Sequence, residues 1–275
     1  MKPKLIVVCG PTATGKSDRA VEIALAQNGE VISADSRQVY RGLNIGSGKI
    51  TQEEMRSVPH HMLDVADPQD TFAVDQFVIQ GAQAIESILE KGKTPIICGG
   101  TGFYIDALVN GVQLPEVAPN PTLRAELEKL SLDDLQNKLH DIDVRRYEEV
   151  DLFNPVRIIR AIEIATELGQ VPPLSRESKY DVEYVYLDFP NDVLKERIYK
   201  RLIARFEAGM LDEAKRLHAE GLSYNRMRQL GLEYRYMAMH LEGEISYEEM
   251  VELLNTKIWQ YAKRQRTWFK KYATI

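Results

Sequence analysis

The sequence has almost no cysteine. Cys9 and Cys98 are the only two among 275 residues. Each lies in an apolar run, so each reads as a small core side chain rather than half of a disulfide. A disulfide-stapled secreted scaffold is excluded, and the reducing cytoplasm is the expected compartment. No apolar run approaches the ~18 residues of a membrane-spanning helix, so no membrane partner is expected. Between Lys4 and Gly10 there are too few apolar residues for the core of a secretory leader. The chain shows no internal repeat and no low-complexity tract. It has no excess of positive charge either: the formal net charge is −6. That argues against a non-specific coat for nucleic acid, although local patches escape such a count.

What is present is an ordinary globular composition, 44% hydrophobic and 28% charged, in a chain long enough for one large domain carrying an insertion. Leu5-Ile6-Val7-Val8-Cys9 is short, β-rich and wholly apolar, as a strand buried on both faces must be. A turn from Gly10 to Lys16 follows, then a helix from Ser17 to Gln27 that Asn28-Gly29 ends. Further strands are expected from Glu30 to Ala34, from His61 to Val65 and from Thr94 to Cys98. Polar, glycine-rich residues 35 to 48 read as loop. Helices are expected from Val74 to Glu90 and after Gly102 to about Val109. This alternation predicts a parallel α/β sheet. Three prolines between Leu114 and Pro121 mark a boundary, beyond which residues 122 to 151 are charged and helical in pattern. A late strand from Tyr184 to Phe189 returns to the sheet. Helical sequence fills the remainder, broken at Gly221 to Asn225 and at Leu241 to Gly243.

The strongest motif is Gly10-Pro11-Thr12-Ala13-Thr14-Gly15-Lys16-Ser17, a complete P-loop pattern between an apolar strand and a helix. Glycines let the backbone wrap an anion, and successive N–H groups with the positive helix end face its oxygens. Lys16 adds a full charge, and the Ser17 hydroxyl suits Mg2+. The strand Ile96-Ile97-Cys98 ends in Gly99-Gly100-Thr101, not in the acidic residue with which many P-loop NTPases hold Mg2+. The nearest suitable acid is Asp35, after the second strand. The carboxyl ends of parallel strands line one crevice, so Asp35 and Thr101 should share a ligand with the P-loop. A carboxylate there can serve as general base. Asp35 also reads as the head of an Asx turn, and Thr101 as a helix N-cap. The expected fold is α/β: a P-loop NTPase-like parallel sheet flanked by helices, with a small inserted helical domain and a helical C-terminal region. Residues 1–111 would begin the core, 112–155 form the insertion and 156–275 return to the core and end in helices.

With the P-loop, the stretches Asp35-Ser36-Arg37-Gln38-Val39-Tyr40, Gly46-Ser47-Gly48-Lys49, His60-His61-Met62-Leu63-Asp64, Gly99-Gly100-Thr101 and Tyr261-Ala262-Lys263-Arg264-Gln265-Arg266-Thr267-Trp268-Phe269 resemble the bacterial tRNA dimethylallyltransferases, or tRNA isopentenyltransferases. The resemblance runs in order from residue 5 to about residue 269. It implies transfer of a dimethylallyl group from dimethylallyl diphosphate to N6 of adenosine 37, the base 3′ to the anticodon of tRNA, in a monomer using Mg2+. The P-loop would then grip a diphosphate, with Lys16, the loop amides and Ser17 with Mg2+ taking up the charge of the leaving group. By the same resemblance Asp35 is the general base, Thr101 orients the bridging oxygen, and Arg201 reaches the diphosphate. Contacts to the tRNA anticodon stem-loop carry over to Asp35, Ser36, Arg37, Gln38, Thr101 and Arg124. They also carry over to the segment Val156-Arg157-Ile158-Ile159-Arg160 and to Arg228-Gln229-Leu230-Gly231-Leu232-Glu233. The insertion would be a tRNA-contacting domain.

Charge placement bears on the partner. Residues 257 to 271 hold Lys257, Lys263, Arg264, Arg266, Lys270 and Lys271 with no acid, interleaved with Trp259, Tyr261, Trp268 and Phe269. Cations and aromatics together suit phosphate contact and base stacking, while an amphipathic helix with its aromatics turned inward explains the same spacing. The chain departs from the family where Gly231-Leu232-Glu233-Tyr234-Arg235 stands in place of a basic residue soon after the glycine. No Cys/His tail follows Trp268-Phe269, unlike the longer zinc-finger-bearing eukaryotic form. Residues 112 to 151 carry ten acids against five bases, a poor balance for clasping RNA. The alternative reading is a P-loop kinase of a small metabolite, which would want the same loop and the same Asp35.

Overall fold

The computed structural model describes residues 2–112, 115–173 and 178–273. Two compact units emerge: Met1–Gly111 joined with Glu177–Ile275, and Val112–Arg176. In the first, β1 (Lys4–Cys9) enters the P-loop and α1 (Lys16–Ala26) leaves it. Then come β2 (Gly29–Ser33), the short α2 (Gln52–Met55), β3 (His60–His61), α3 (Val74–Glu90), β4 (Thr94–Gly99) and α4 (Gly102–Val109). The second unit holds α5 (Pro121–Leu127), α6 (Leu132–Ile142), α7 (Val144–Glu149) and α8 (Pro155–Leu168). The first unit resumes with β5 (Asp181–Tyr186), α9 (Asn191–Glu207), α10 (Met210–Ala219), α11 (Tyr224–Met227), α12 (Leu232–Leu241) and the long α13 (Tyr247–Phe269).

The five strands form one parallel sheet in the order β3-β2-β4-β1-β5. Leu5 to Cys9 are wholly buried because β1 has a neighbour on each edge and side chains packed on both faces, which is why its sequence is apolar without alternation. Residue pairs Ile6–Ile96 and Ile6–Glu183 fix its register against β4 and β5. Opposite β1, whose six residues run from Lys4 to Cys9, β5 begins at Asp181 and ends at Tyr186. It starts before the expected Tyr184 and stops before Phe189, because its partner sets its length. The third strand is two residues long, not the expected 61 to 65. Met62 and Asp64 take positive φ angles of 64° and 56°, which turn the chain off the sheet edge. The short α2 was hidden in sequence, since one turn carries no period. Its Thr51/Glu54 capping box is its only local mark.

In the second unit, Leu127, Leu135, Leu139, Ile158 and Ile162 share a buried cluster. This unit runs past residue 155 to Arg176 and includes α8, which the sequence assigned to the returning core. Asn154 caps that helix by accepting from the Arg157 N–H, with Pro155 in its first turn. The change of pattern near 155 is therefore a helix start, and the apolar face of α8 closes the insertion's own core. Leu114, where the proline-rich boundary was placed, lies outside the described residues.

Candidate functional site

The carboxyl ends of β1, β2 and β4 open into a cavity of about 940 Å3. Two glycines make its floor possible. Gly10 has φ +144°, and a Cβ there would overlap the Leu187 carbonyl; Gly15 has φ +82°. Gly15 is also the N-cap of α1 and offers no side chain to its first amides, so those donors stay open to an anion. Thr12, Ala13, Thr14, Gly15, Lys16 and Ser17 all line the cavity. The Lys16 ammonium donates to the Pro11 carbonyl at 2.6 Å. Burial lowers its pKa to about 8, with the charge of Arg201 pushing the same way. Among the described residues this cation makes no salt bridge, and the charge of Asp35 offsets the lowering only in part.

Asp35, Ser36, Arg37 and Gln38 line the same cavity. Asp35 Oδ1 accepts from the N–H of Arg37 at 2.8 Å and of Gln38 at 3.4 Å, so the Asx turn read from sequence is formed. Oδ2 has no hydrogen bond within the described residues, leaving it available to a ligand. Thr101 stands at the N-cap position of α4 without making a side-chain cap. Its hydroxyl instead accepts from the Ser36 N–H at 3.1 Å, which ties the end of β4 to the loop after β2. Gln38 spans from the Ser33 hydroxyl at 2.9 Å to the Gly48 carbonyl at 3.1 Å.

The opposite wall is α9. Arg197, Arg201 and Arg205 recur at four-residue spacing and so share one helix face. Arg197 Nε donates to the Ala13 carbonyl at 2.7 Å, and Arg201 reaches the Thr12 hydroxyl at 2.9 Å. Surrounding protein, then the neighbouring Arg205, lower the Arg201 pKa. Arginine nevertheless keeps its proton in proteins, so this wall also calls for an anion. Arg205 approaches Glu233 at 3.6 Å. The sequence singled out only Arg201; the four-residue spacing was the signal for its two neighbours.

Two further residues gave no such signal. The buried Glu213 of α10 accepts from the N–H groups of Asn44, Ile45 and Gly46 at 3.0, 2.8 and 3.0 Å, and from the Tyr234 hydroxyl at 2.7 Å. It thereby pins the loop leading to Gly48 and Lys49. Gln265 of α13 accepts from the Thr12 N–H and donates to the Gly100 carbonyl, both at 2.8 Å. Both residues act on backbone groups far away in the chain, which no local pattern reports.

The residues expected to touch RNA are scattered in role. Gly231, Leu232 and Glu233 line the cavity. Leu230 is fully buried, Arg228 is held between Glu242 and Glu244, and Gln229 accepts from Arg226. Within the second unit, Arg124 grips the buried Glu163 through two nitrogens, each at 2.8 Å, and Arg160 joins it at 3.2 Å. Ile158 and Ile159 are buried in that unit's core, so their side chains are closed to a partner, whereas Val156 is exposed and Arg157 pairs loosely with Asp151. On α13 the two explanations of the sequence divide the residues between them. Phe269 is buried, Trp268 donates to Asp106, and Arg266 and Lys271 pair with Asp188 and Asp106. Lys263 and Arg264 stay exposed, over the rings of Trp259 and Tyr261 respectively. Among the described residues no group of three His, Cys, Asp or Glu could hold a metal ion; Ser17 and Asp18 put a hydroxyl and a carboxylate on the cavity wall.

The IPP transferase family model matches residues 38–272 of this chain. A tRNA dimethylallyltransferase 2 of Shewanella sediminis is 42% identical over 269 residues, covering 97% of this chain and 89% of that protein. A tRNA dimethylallyltransferase of Bacillus mycoides is 37% identical, covering 98% and 87%. Among solved structures, the full-length tRNA isopentenylpyrophosphate transferase of Bacillus halodurans is 37% identical with a TM-score of 0.73, covering 98% of this chain and 87% of that one. A eukaryotic dimethylallyltransferase acting on tRNA is 26% identical with a TM-score of 0.84, covering 97% and 70%.

Proposed function

Because the chain belongs to the IPP transferase family, we propose that it transfers a dimethylallyl group from dimethylallyl diphosphate to N6 of the adenosine 3′ to the anticodon in tRNA. The observation that carries the reading is a single cavity with a P-loop and three arginines on its walls and the Asp35 carboxylate at its edge. Phosphate oxygens need the cations, and an exocyclic amine needs the base.

In this reading the allylic C–O bond breaks, and the electron pair leaves with the diphosphate. The N6 lone pair forms the new C–N bond, and the N6 proton passes to Asp35. Lys16, the loop amides, Arg197 and Arg201 stabilise charge on the leaving group. Thr101, whose hydroxyl accepts from the Ser36 N–H, is assigned to the bridging oxygen on the family resemblance, although it is not among the residues that line the cavity. The Ser17 hydroxyl, which makes no hydrogen bond within the described residues, fits as a ligand of Mg2+; bound there with the diphosphate, Mg2+ would neutralise part of its charge. The base must leave the anticodon-loop stack to reach Asp35, a displacement of a few kcal/mol that RNA loops permit. No described helix is long and apolar enough to cross a membrane, and the reading places a monomer in the cytoplasm with its tRNA.

The test is incubation with dimethylallyl diphosphate and tRNA lacking the modification, followed by nucleoside mass analysis. Dimethylallyl-adenosine is the expected product. Unchanged adenosine in the tRNA, with phosphoryl transfer from ATP to a metabolite, would instead establish the kinase.

A further inference from the structure

We propose that Gln265 is a positioning residue that sets the distance between the P-loop and the Gly100-Thr101 strand end. The proposal rests on the reading that the P-loop grips diphosphate. Gln265 is the only residue of the Lys-Arg-Gln-x-Thr-Trp-Phe stretch whose side chain bonds to both of these backbone segments. It is 6% exposed, and its two bonds allow one orientation of the amide. The Thr12 N–H can only donate and the Gly100 carbonyl can only accept, so Oε1 must face the first and Nε2 the second. Turning the amide over would set oxygen against oxygen and N–H against N–H.

Three consequences follow from that clamp. The Thr12 N–H is committed to Gln265, so the loop presents its later amides to the ligand while this one fixes its curvature. Thr12 also holds Arg201 through its hydroxyl, so the clamp seats an arginine of the opposite wall. On the other side Gly100 precedes Thr101, and a Cβ on Gly100 would run into Gln265 Nε2. The glycine is there to let the amide approach. One side chain from α13 thus joins anion cradle, arginine wall and strand end.

The experiment titrates inorganic pyrophosphate with Mg2+ into the full chain by calorimetry, beside KM and kcat for dimethylallyl diphosphate and thermal unfolding. Gln265→Ala should raise the pyrophosphate Kd and the KM about tenfold, the loss expected for two buried hydrogen bonds only partly replaced by water. Gly100→Ala should weaken binding in the parent protein and add little in the Gln265→Ala background, where the obstructing amide is gone. Equal losses from Gly100→Ala in both backgrounds would overturn the proposal. Gln265→Glu gives an independent arm that keeps the side chain's size. Its ionised carboxylate opposes the Gly100 carbonyl, whereas the protonated acid donates to it. Its deficit relative to the parent should therefore shrink as pH falls, while that of Gln265→Ala stays level. A level ratio for both variants counts against the clamp. Should the parent bind pyrophosphate yet leave tRNA unprenylated, the transfer reading fails and the titrations still decide the role of Gln265.

Discussion

Asp35 and Lys16 divide the chemistry between them, and each gives a distinct experimental signature. Asp35→Ala should cut turnover at least ~10²-fold, the usual worth of a placed general base, while tRNA affinity falls far less; a filter-binding assay beside the turnover measurement separates the two. Equal turnover in that variant would remove the base. Lys16 should govern the pH dependence of diphosphate binding. In the free protein its pKa is lowered to about 8, and a bound anion favours its charged form, so binding takes up a proton once the pH exceeds that value. Affinity for pyrophosphate should therefore weaken as pH rises from 7 through 8 to 9, and Lys16→Met should lack the component of that slope that the parent shows. The places of Asp35 and Lys16 on the cavity wall were legible in sequence, Asp35 because it closely follows an apolar strand and Lys16 because a complete loop motif fixes it locally. Glu213 and Gln265 were harder to read, since they act on carbonyls and N–H groups of remote segments, and backbone groups leave no trace in residue identity.

Among the elements, those with a long period were read correctly. Val74–Glu90 is the helix expected, and β4 starts at Thr94 as its apolar run requires. Shorter pieces were governed by neighbours: β5 by the length of β1, β3 by the turn at Met62. The helix α13 contains both the buried and the solvated face that its sequence allowed, and its exposed cations carry a prediction. If Lys263 and Arg264 meet phosphates, the joint Lys263→Ala/Arg264→Ala variant should flatten the slope of log affinity for tRNA against log salt by roughly one to two. An unchanged slope would leave the helix as structure alone. The helix α8 was assigned to the wrong unit because a capped helix start resembles a domain border. Its Glu163 is 2% exposed and depends on Arg124 and Arg160. Burial works to raise the Glu163 pKa, and the hydrogen bonds from Arg124, Asn120 and Arg160 outweigh it, leaving the carboxyl lowered and ionised. Arg124→Ala/Arg160→Ala should destabilise the protein by about 3 kcal/mol in urea unfolding followed by circular dichroism, as stranding a buried charge does. No loss of stability would return those arginines to the list of free RNA contacts.

For the molecule as a whole, composition and motif order were enough to predict a parallel α/β sheet interrupted by helices, because the P-loop fixes the strand before it and the helix after it. The size of the interruption was not legible, since membership of a unit depends on which apolar faces meet. Ligand protection tests the functional assignment at this scale. With Mg2+ present, dimethylallyl diphosphate at a hundred times its Kd should stabilise the folded chain by about 2.7 kcal/mol, seen as a rise in unfolding temperature, and ATP should do so less. Protection by ATP alone would favour the kinase.

The first unit is assembled from the two ends of the chain, and this bears on how the protein emerges from the ribosome. The P-loop is made before the insertion, yet β5, which covers one edge of β1, and α9, which carries the arginines, are made only after residue 180. Until then β1 has a bare edge able to pair with any extended chain nearby. The nascent chain must keep its most apolar strand from misassociating until the whole insertion has been made, a task for the chaperones that shield such edges. A message cut short anywhere in the insertion would yield a polypeptide with an intact P-loop sequence and no completed cavity.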